Sequence, residues 1–302
     1  MTTALVLQYL VAGLTYGTIY AVVGIGFNII YNTTGIINFA QGEFVMLGGM
    51  TAVSLHRVVP LPLAILLAVA LTTLVGAAVE VTFIRWLRRP SVLRMIIVTI
   101  GLSILIREAA LLAWGEQVRA LPYFTGDEVT ALEVGGVHVS PQVLWSLGTC
   151  AVVVAALQVF FRHTRTGREM RACAANREAA ALCGISTRNL VTLSFALSAG
   201  IGALAGCVVS PITYTRYDIG ASLALKGFTV AILGGLGNGT AAVAAGFILG
   251  TLEAFSISVL PAAYKDAVSI GVLLLLLFLP PALWFLVAAG FESARWAQSD
   301  HA

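Results

Sequence analysis

Charge is what this chain has least of. Of its 302 residues only 10% are Asp, Glu, Lys or Arg, against about 25% in a soluble globular domain. A soluble chain of this length needs more polar surface. The scarcity is also uneven. Met1–Gly42 holds no charged residue, and neither do Val58–Val79, Asn189–Thr215, Gly227–Leu252 or Ala267–Phe291. Each run is long enough to cross a hydrocarbon core, which takes about 20 apolar residues. One such run fits a buried helix of a large soluble protein, but several in succession do not. Histidine is scarce as well. His56, His138, His163 and His301 all fall in predicted loops or the tail, and neither H-E-x-x-H nor G-x-S-x-G occurs. A membrane-embedded enzyme is therefore a poor reading, and no catalytic residue is expected. The four cysteines show no metal-ligand spacing. Small apolar fillers or inert thiols account for them, and no metal or other cofactor is expected. No G-x-x-x-x-G-K-[ST] phosphate loop is present; if ATP drives this protein, another chain binds it. Met1–Gly42 lacks a basic n-region and its apolar run is long, so a first span is expected there rather than a cleaved signal peptide.

What the chain has is hydrophobic bulk: 59% of residues, with a mean hydropathy of +0.95. This predicts an all-α integral membrane protein, a polytopic bundle of about 8–9 transmembrane helices with broken or re-entrant segments. The expected segments are roughly 5–31, 43–55, 61–84, 95–114, 142–161, 189–210, 222–236, 240–260 and 267–289. Gly202 and Gly206 form a small-xxx-small pair, which lets helix backbones approach in lipid.

The loops set the orientation. The 85–94 and 162–188 loops hold ten of the 17 Lys and Arg residues. Basic loops stay cytoplasmic, and these two are separated by two spans, so they agree. The acidic 116–141 stretch then lies outside. Counting spans puts the N-terminus outside and the C-terminus in the cytoplasm.

Two stretches are candidates for function. In the 162–188 loop, Asn176 is placed to cap a helix and Glu178 sits in its first turn, where the helix dipole favours an anion. Gly184 stands where a C′ glycine belongs. A short cytoplasmic helix of about 10 Å follows. It is either a surface turn between spans or a docking helix for a cytoplasmic partner. The second stretch is the polar break after the first segment. Asn28, Asn38, Gln41 and Glu43 surround it. Broken helices in membranes occur where protein or water satisfies the backbone, and transporters often place them on the substrate path. These residues either brace the break or line a path. Glu80, Arg107, Glu108, Lys226 and Glu253 lie in or near spans, where charges must be paired. Arg107 and Glu108 point about 100° apart on a helix and are not expected to pair with each other. Glu80 lies near Arg85.

Several motifs resemble one family. Glu178-Ala179-Ala180-x-x-x-Gly184 resembles the EAA loop of ABC importer permeases, which seats in a cleft of the ATPase. Gly17-Thr18-Ile19-Tyr20-Ala21, then Gly35-Ile36-Ile37-Asn38-Phe39-Ala40-Gln41-Gly42-Glu43, resemble the N-terminal signature of the branched-chain amino-acid ABC transporter permeases. Thr166-Gly167-Arg168-x-x-Arg171-Ala172, Ala231-Ile232-Leu233-Gly234-Gly235-Leu236-Gly237 and Tyr264-Lys265-Asp266 are similar to it too. Within that family the chain is most similar to the shorter, LivH-type subunit. Pro280-Pro281-Ala282-Leu283-Trp284 departs from the Pro-x-Gly pattern expected there.

The resemblance implies a single transmembrane permease domain over 1–302 in the bacterial inner membrane, with a coupling loop at 162–188. It implies an ATP-driven importer of leucine, isoleucine and valine. The partners would be a second, related permease, two ABC ATPases and a periplasmic binding protein, all assembled on the lipid bilayer with no nucleic acid. Arg171, Asn176, Glu178, Ala179, Ala180 and Gly184 would couple to the ATPase; Asn28, Asn38, Gln41 and Glu43 would line the path. Two alternatives stand beside this. One is an ion-coupled secondary transporter using Glu43, Glu80 or Glu253. The other is an ABC permease for another small polar solute, such as urea, amides or other amino acids.

Overall fold

The computed structural model describes residues 3–87, 91–126, 132–134, 137–258, 261 and 264–278. The chain folds into helices α1 (Thr3–Thr34), α2 (Gln41–His56), α3 (Leu61–Val79), α4 (Val92–Trp114), α5 (Pro141–His163), α6 (Arg165–Ala175), α7 (Arg177–Leu182), α8 (Thr187–Thr213), α9 (Ile219–Leu233), α10 (Gly239–Ser256) and α11 (Lys265–Phe278). A π-helical turn, Glu80–Ile84, continues α3. Between α4 and α5 two short strands, β1 (Leu132–Val134) and β2 (Val137–Val139), pair antiparallel with Glu133 opposite His138.

Local chemistry sets the boundaries. Ser91 caps α4 by accepting from the Arg94 N–H, and Ser140 caps α5 ahead of Pro141. Asn238 Oδ1 accepts from the Ala241 N–H at 3.2 Å and starts α10. Gly115, at φ +73°, ends α4 in a conformation that only glycine adopts freely.

Among the described residues six helices are long and apolar enough to cross a membrane: α1, α3 with its π turn, α4, α5, α8 and α10. They form two shells. The apolar windows of α1 and α8 are 72% and 61% buried, while those of α3, α4 and α5 are only 22–28% buried. The first pair is the axis of the bundle, and the outer three turn apolar side chains outward, as a lipid-facing ring does. The helical membrane bundle is as expected, and the count of 8–9 spans is approximate. The helices α2 and α9 have 16 and 15 residues, short of the about 20 of a full span. They are the short segments expected beside the breaks.

Backbones meet closely in the interior. A Cβ at Gly206 would overlap the Val45 carbonyl of α2, and one at Gly48 would overlap Ala203 of α8. Gly17 and Gly246 do the same between α1 and α10, against Phe247 and Ala21. Without a hydrophobic drive between helices in lipid, such close approach supplies the association through packing. Around these contacts Phe44, Met46 and Met50 of α2 pack with Phe195 of α8 and Leu102 and Ile106 of α4. Val23 and Phe27 of α1 pack with Val230 of α9 and Leu249 of α10.

Two expectations need correction. The 162–188 loop holds two helices, not one. The helix α6 was read as loop because its arginines hide a narrow apolar face of Gly167, Met170 and Cys173, spaced three apart. The acidic 116–141 stretch, for which no strand was expected, carries the β1–β2 pair. Arg107 Nε lies 3.5 Å from Glu108 Oε1, so these neighbours do pair, at an exposed position that long side chains reach around the helix. Arg88, Arg89, Asp127, Glu128, the 279–289 end of the last segment and the Pro280–Trp284 departure lie outside the described residues.

Candidate functional site

The hydrogen bonds of α6 and α7 make the 162–188 loop a defined platform. Thr164 Oγ1 accepts from the Gly167 N–H at 2.9 Å and starts α6. Met170 and Cys173 then pack into a cluster with Ile25, Ile29 and Leu190. Burial pushes the Cys173 thiol up, which fits an inert filler. Asn176 closes α6 and opens α7. Its N–H bonds the Ala172 carbonyl, while its Oδ1 accepts from the Glu178 and Ala179 N–H groups, both at 3.0 Å. At the other end Gly184 has φ +81°. Its N–H bonds Ala181 O at 3.0 Å, and the Ile185 N–H bonds Ala180 O at 3.1 Å. These two bonds make a Schellman motif. The short helix is thus capped at both ends by the residues expected from sequence. Arg171, Asn176, Glu178, Ala179 and Gly184 are exposed, whereas Ala180 is buried against Leu190 and Met170. Ala180 holds the platform to the bundle instead of presenting itself. Leu182 is 90% exposed at the end of α7, an apolar knob that the motif passes over as an unspecified position.

The break between α1 and α2 is built from buried polar side chains. Gln41 is fully buried. Its Nε2 donates to Ser198 O at 3.1 Å, and its Oε1 accepts from Ser198 Oγ at 2.5 Å. Ser198 Oγ also lies 2.8 Å from the Gly26 carbonyl, so α1, α2 and α8 are tied at one point. Asn38 Oδ1 accepts from the Ala40 N–H at 3.1 Å, shaping the turn into α2. Asn28 reaches the other way. Its Oδ1 accepts from the Gly237 N–H at 2.9 Å, and Asn32 Nδ2 donates to the Gly237 carbonyl at 3.0 Å. Both asparagines clamp the turn between α9 and α10, where Gly237 has φ +98°. Glu43 is fully buried. It accepts from Ser103 Oγ of α4 at 2.8 Å, and its other oxygen lies against Gly220 of α9, where a side chain would collide with it. Each of the four residues of the expected path group braces a joint through at least one polar atom, while Asn38 Nδ2 and Glu43 Oε2 are buried without a hydrogen-bond partner.

Glu80, Lys226 and Glu253 are in ion pairs, whereas the buried Glu43 has none among the described residues. Arg85 Nη2 bridges Glu80 Oε2 at 3.3 Å and Thr192 Oγ1 at 2.7 Å. Lys226 Nζ lies 2.6 Å from Glu253 Oε1, 2.7 Å from Asp266 Oδ1 and 3.1 Å from Tyr20 Oη. Tyr20 Oη donates to Glu253 as well. This network joins α1, α9, α10 and α11. Its members border a cleft of about 310 Å³, lined by Tyr16, Ile19, Tyr20, Ile219, Leu223 and Lys226 among others. Arg216 and Asp218 stand at its rim as an exposed bidentate pair, 2.5 and 2.6 Å apart. The hydrogen bond to Asp218 and its charge hold the Arg216 guanidinium above its ordinary range.

Against known proteins, residues 9–277 match the family model described as branched-chain amino acid transport system, permease component. The chain belongs to that family. Among relatives, it is 33% identical over 288 residues to the high-affinity branched-chain amino acid transport system permease protein BraD of Pseudomonas aeruginosa, covering 91% of this chain and 94% of that protein. Against LivH of Escherichia coli K12 it is 32% identical over 291 residues, with the same coverage. Among solved structures, PsaBC from Streptococcus pneumoniae in complex with Fab aligns at a TM-score of 0.51 and 12% identity, covering 93% of each chain. That likeness speaks for the fold alone. Tyr20, Ser198 and Leu182 were not singled out from sequence. Tyr20 sat within a quoted motif and Ser198 within a charge-free run, and nothing in either marked the partner across the bundle.

Proposed function

We propose that this chain is the membrane-spanning permease subunit of an ATP-driven importer that moves leucine, isoleucine and valine from a periplasmic binding protein across the bacterial inner membrane. The single permease domain spans 1–302, with the N-terminus outside and the C-terminus in the cytoplasm. A second, paralogous permease would complete the pore, and two ABC ATPases would hydrolyse the ATP. The observation that carries the reading is the family match over nearly the whole chain. The α6–α7 platform adds the coupling element. Arg171, Asn176, Glu178, Ala179 and Gly184 would present or shape the surface that docks in the ATPase, while Ala180 transmits its position to α8. Support for an ion-coupled carrier is narrower: Glu80 and Glu253 are both held in ion pairs, which leaves the buried Glu43 as its one remaining candidate among the three.

The path assignment of Asn28, Asn38, Gln41 and Glu43 is proposed in a narrower form. These side chains hold the joints around the path, and their backbone contacts shape the start of α2 and the turn from α9 into α10. The test uses the chain reconstituted with its neighbouring permease, ATPases and binding protein. ATP-dependent leucine uptake is expected. Glu178→Arg and Gly184→Pro should abolish uptake while the protein stays in the membrane. Uptake driven by an ion gradient with no ATPase present would overturn the reading.

A further inference from the structure

The cleft beside the Lys226 network is built from two kinds of surface. Ile19, Ile219 and Leu223 give it an apolar wall; Lys226, Lys265 and Asp218 give it charge. Its volume of about 310 Å³ is at the small end of ligand sites, about 300–1,000 Å³, which suits a single small molecule and not a peptide. The two lysines differ. Lys226 is saturated by Glu253, Asp266 and Tyr20. Lys265 Nζ sits 3.2 Å from the centre of the Tyr16 ring, and among the described residues no carboxylate lies within ion-pair distance of it. Tyr16 and Lys265 both line the cleft, so an anion entering it meets an amine held in place on a ring; burial lowers its pKa, the charges of Glu253 and Asp266 favour its protonated form from beyond ion-pair distance, and an incoming carboxylate would favour it further. Asp218 spends two acceptor sites on Arg216 and keeps others, since a carboxylate has about four.

The mouth lies at the far end of the bundle from the α6–α7 platform. The helix α8 leaves the platform at Thr187 and reaches Thr213, on the cleft lining, 27 residues later. That is about 40 Å at 1.5 Å per residue. The cleft opens at Thr213, Arg216 and Asp218 and runs down to the buried Lys226.

We propose that this cleft is a waypoint that binds one free α-amino acid as its zwitterion. The carboxylate rests on Lys265, the ammonium faces Asp218, and an aliphatic side chain lies on Ile19, Ile219 and Leu223. The proposal rests on the importer reading above and adds where, and by which atoms, this subunit first holds its cargo. Arg216 and Lys226 are spent on carboxylates of the chain itself, and Lys265, with no direct carboxylate partner among the described residues, orients the zwitterion. A cationic amine without a carboxylate has nothing to gain at Lys265.

The test is thiol protection in the complete reconstituted transporter. Ser222→Cys places a small reporter on the half-buried lining; Thr213→Cys at the mouth is a second. Three native cysteines are buried, and the exposed Cys183 lies in the α6–α7 platform, so a membrane-impermeant maleimide applied from the cleft side reads the reporter. Millimolar leucine should slow labelling at least about threefold, and 3-methylbutylamine, which lacks the carboxylate, should not. Lys265→Gln should raise the leucine concentration needed for protection about tenfold, the loss of one charge-assisted contact, and Lys265→Arg should restore it. Equal protection by the amine, or unchanged protection in Lys265→Gln, overturns the assignment. A complex that transports leucine yet shows no protection at either reporter overturns the cleft and leaves the importer reading intact. A complex that transports no amino acid overturns the importer reading, and the ligand named here falls with it.

Discussion

Replacing Lys226 with Met should cost this protein more stability than any surface change. Lys226 is 6% exposed, and its ammonium is 2.6 Å from Glu253. Glu253 itself is fully buried. Methionine keeps the length and apolar stem of lysine but strands the Glu253 carboxylate. Removing one partner of a buried ion pair costs about 3–5 kcal/mol. Tyr20 still donates to Glu253, so the low end, about 3 kcal/mol, applies. That is a change of about 150-fold in the folding equilibrium. The reciprocal change is milder. Glu253→Gln leaves Lys226 with Asp266 and Tyr20, and about 1–2 kcal/mol is expected. The double variant Lys226→Met/Glu253→Gln removes both charges while the Gln oxygen still accepts from Tyr20, and it should lie within about 2 kcal/mol of the parent, because no buried charge is left stranded. The coupling between the two sites is then about 2 kcal/mol or more. Equilibrium unfolding of the full chain in mixed micelles, followed by far-ultraviolet circular dichroism, measures all four corners. A Lys226→Met cost below about 1 kcal/mol, or a double variant as unstable as the sum of the singles, would refute the reasoning.

Other positions give independent tests. Asn176→Ala removes both acceptor bonds at the start of α7; about 1 kcal/mol of local helix stability should be lost, with faster amide exchange at Glu178 and Ala179 and weaker ATP-driven uptake. Gly206→Val drives side-chain atoms into the Val45 carbonyl; it should leave little folded protein in the membrane fraction, whereas Gly148→Ala, with open space around it, should insert normally. Tyr214 has φ +59° and ψ 174°, a region nearly reserved for glycine and costing about 1–3 kcal/mol; Tyr214→Gly should raise the thermal midpoint in detergent, and a lowered midpoint would show that the ring contributes more than the strain.

The short α7 helix was legible because its signals are local. An Asn before a Glu-Ala-Ala run and a Gly after it act within one turn, and both caps form as the spacing implies. The spans were legible for a similar reason, since the bilayer imposes a length and an absence of charge that a sequence displays. The third segment was read as 61–84 and is helical over that whole range. The interior polar network was not legible. Lys226 and Glu253 were marked as charges in need of partners, but Tyr20 and Asp266 approach from other helices, and nothing local in the chain encodes that meeting. Gln41 was read at a break, and its actual partner, Ser198, is 157 residues away. The helix α6 was missed for the opposite reason. Its arginines are a local signal of exposure, and they masked a three-residue apolar period that only the neighbouring Leu190 and Ile25 make meaningful.

The helix α8 ties the two ends of the molecule into one rigid body. It leaves the α6–α7 platform at Thr187 and finishes on the cleft lining at Thr213, with its single proline, Pro211, in the last turn. Between those ends Gly206 and Ala203 lock it to α2 at van der Waals distance. It is held at other places as well, at Thr192 by Glu80 and Arg85 and at Ser198 by Gln41 and Gly26. A rod fastened at several points along its length does not swing about one of them. A displacement that reaches the cleft from the platform has to carry α1, α2 and the end of α3 along with α8.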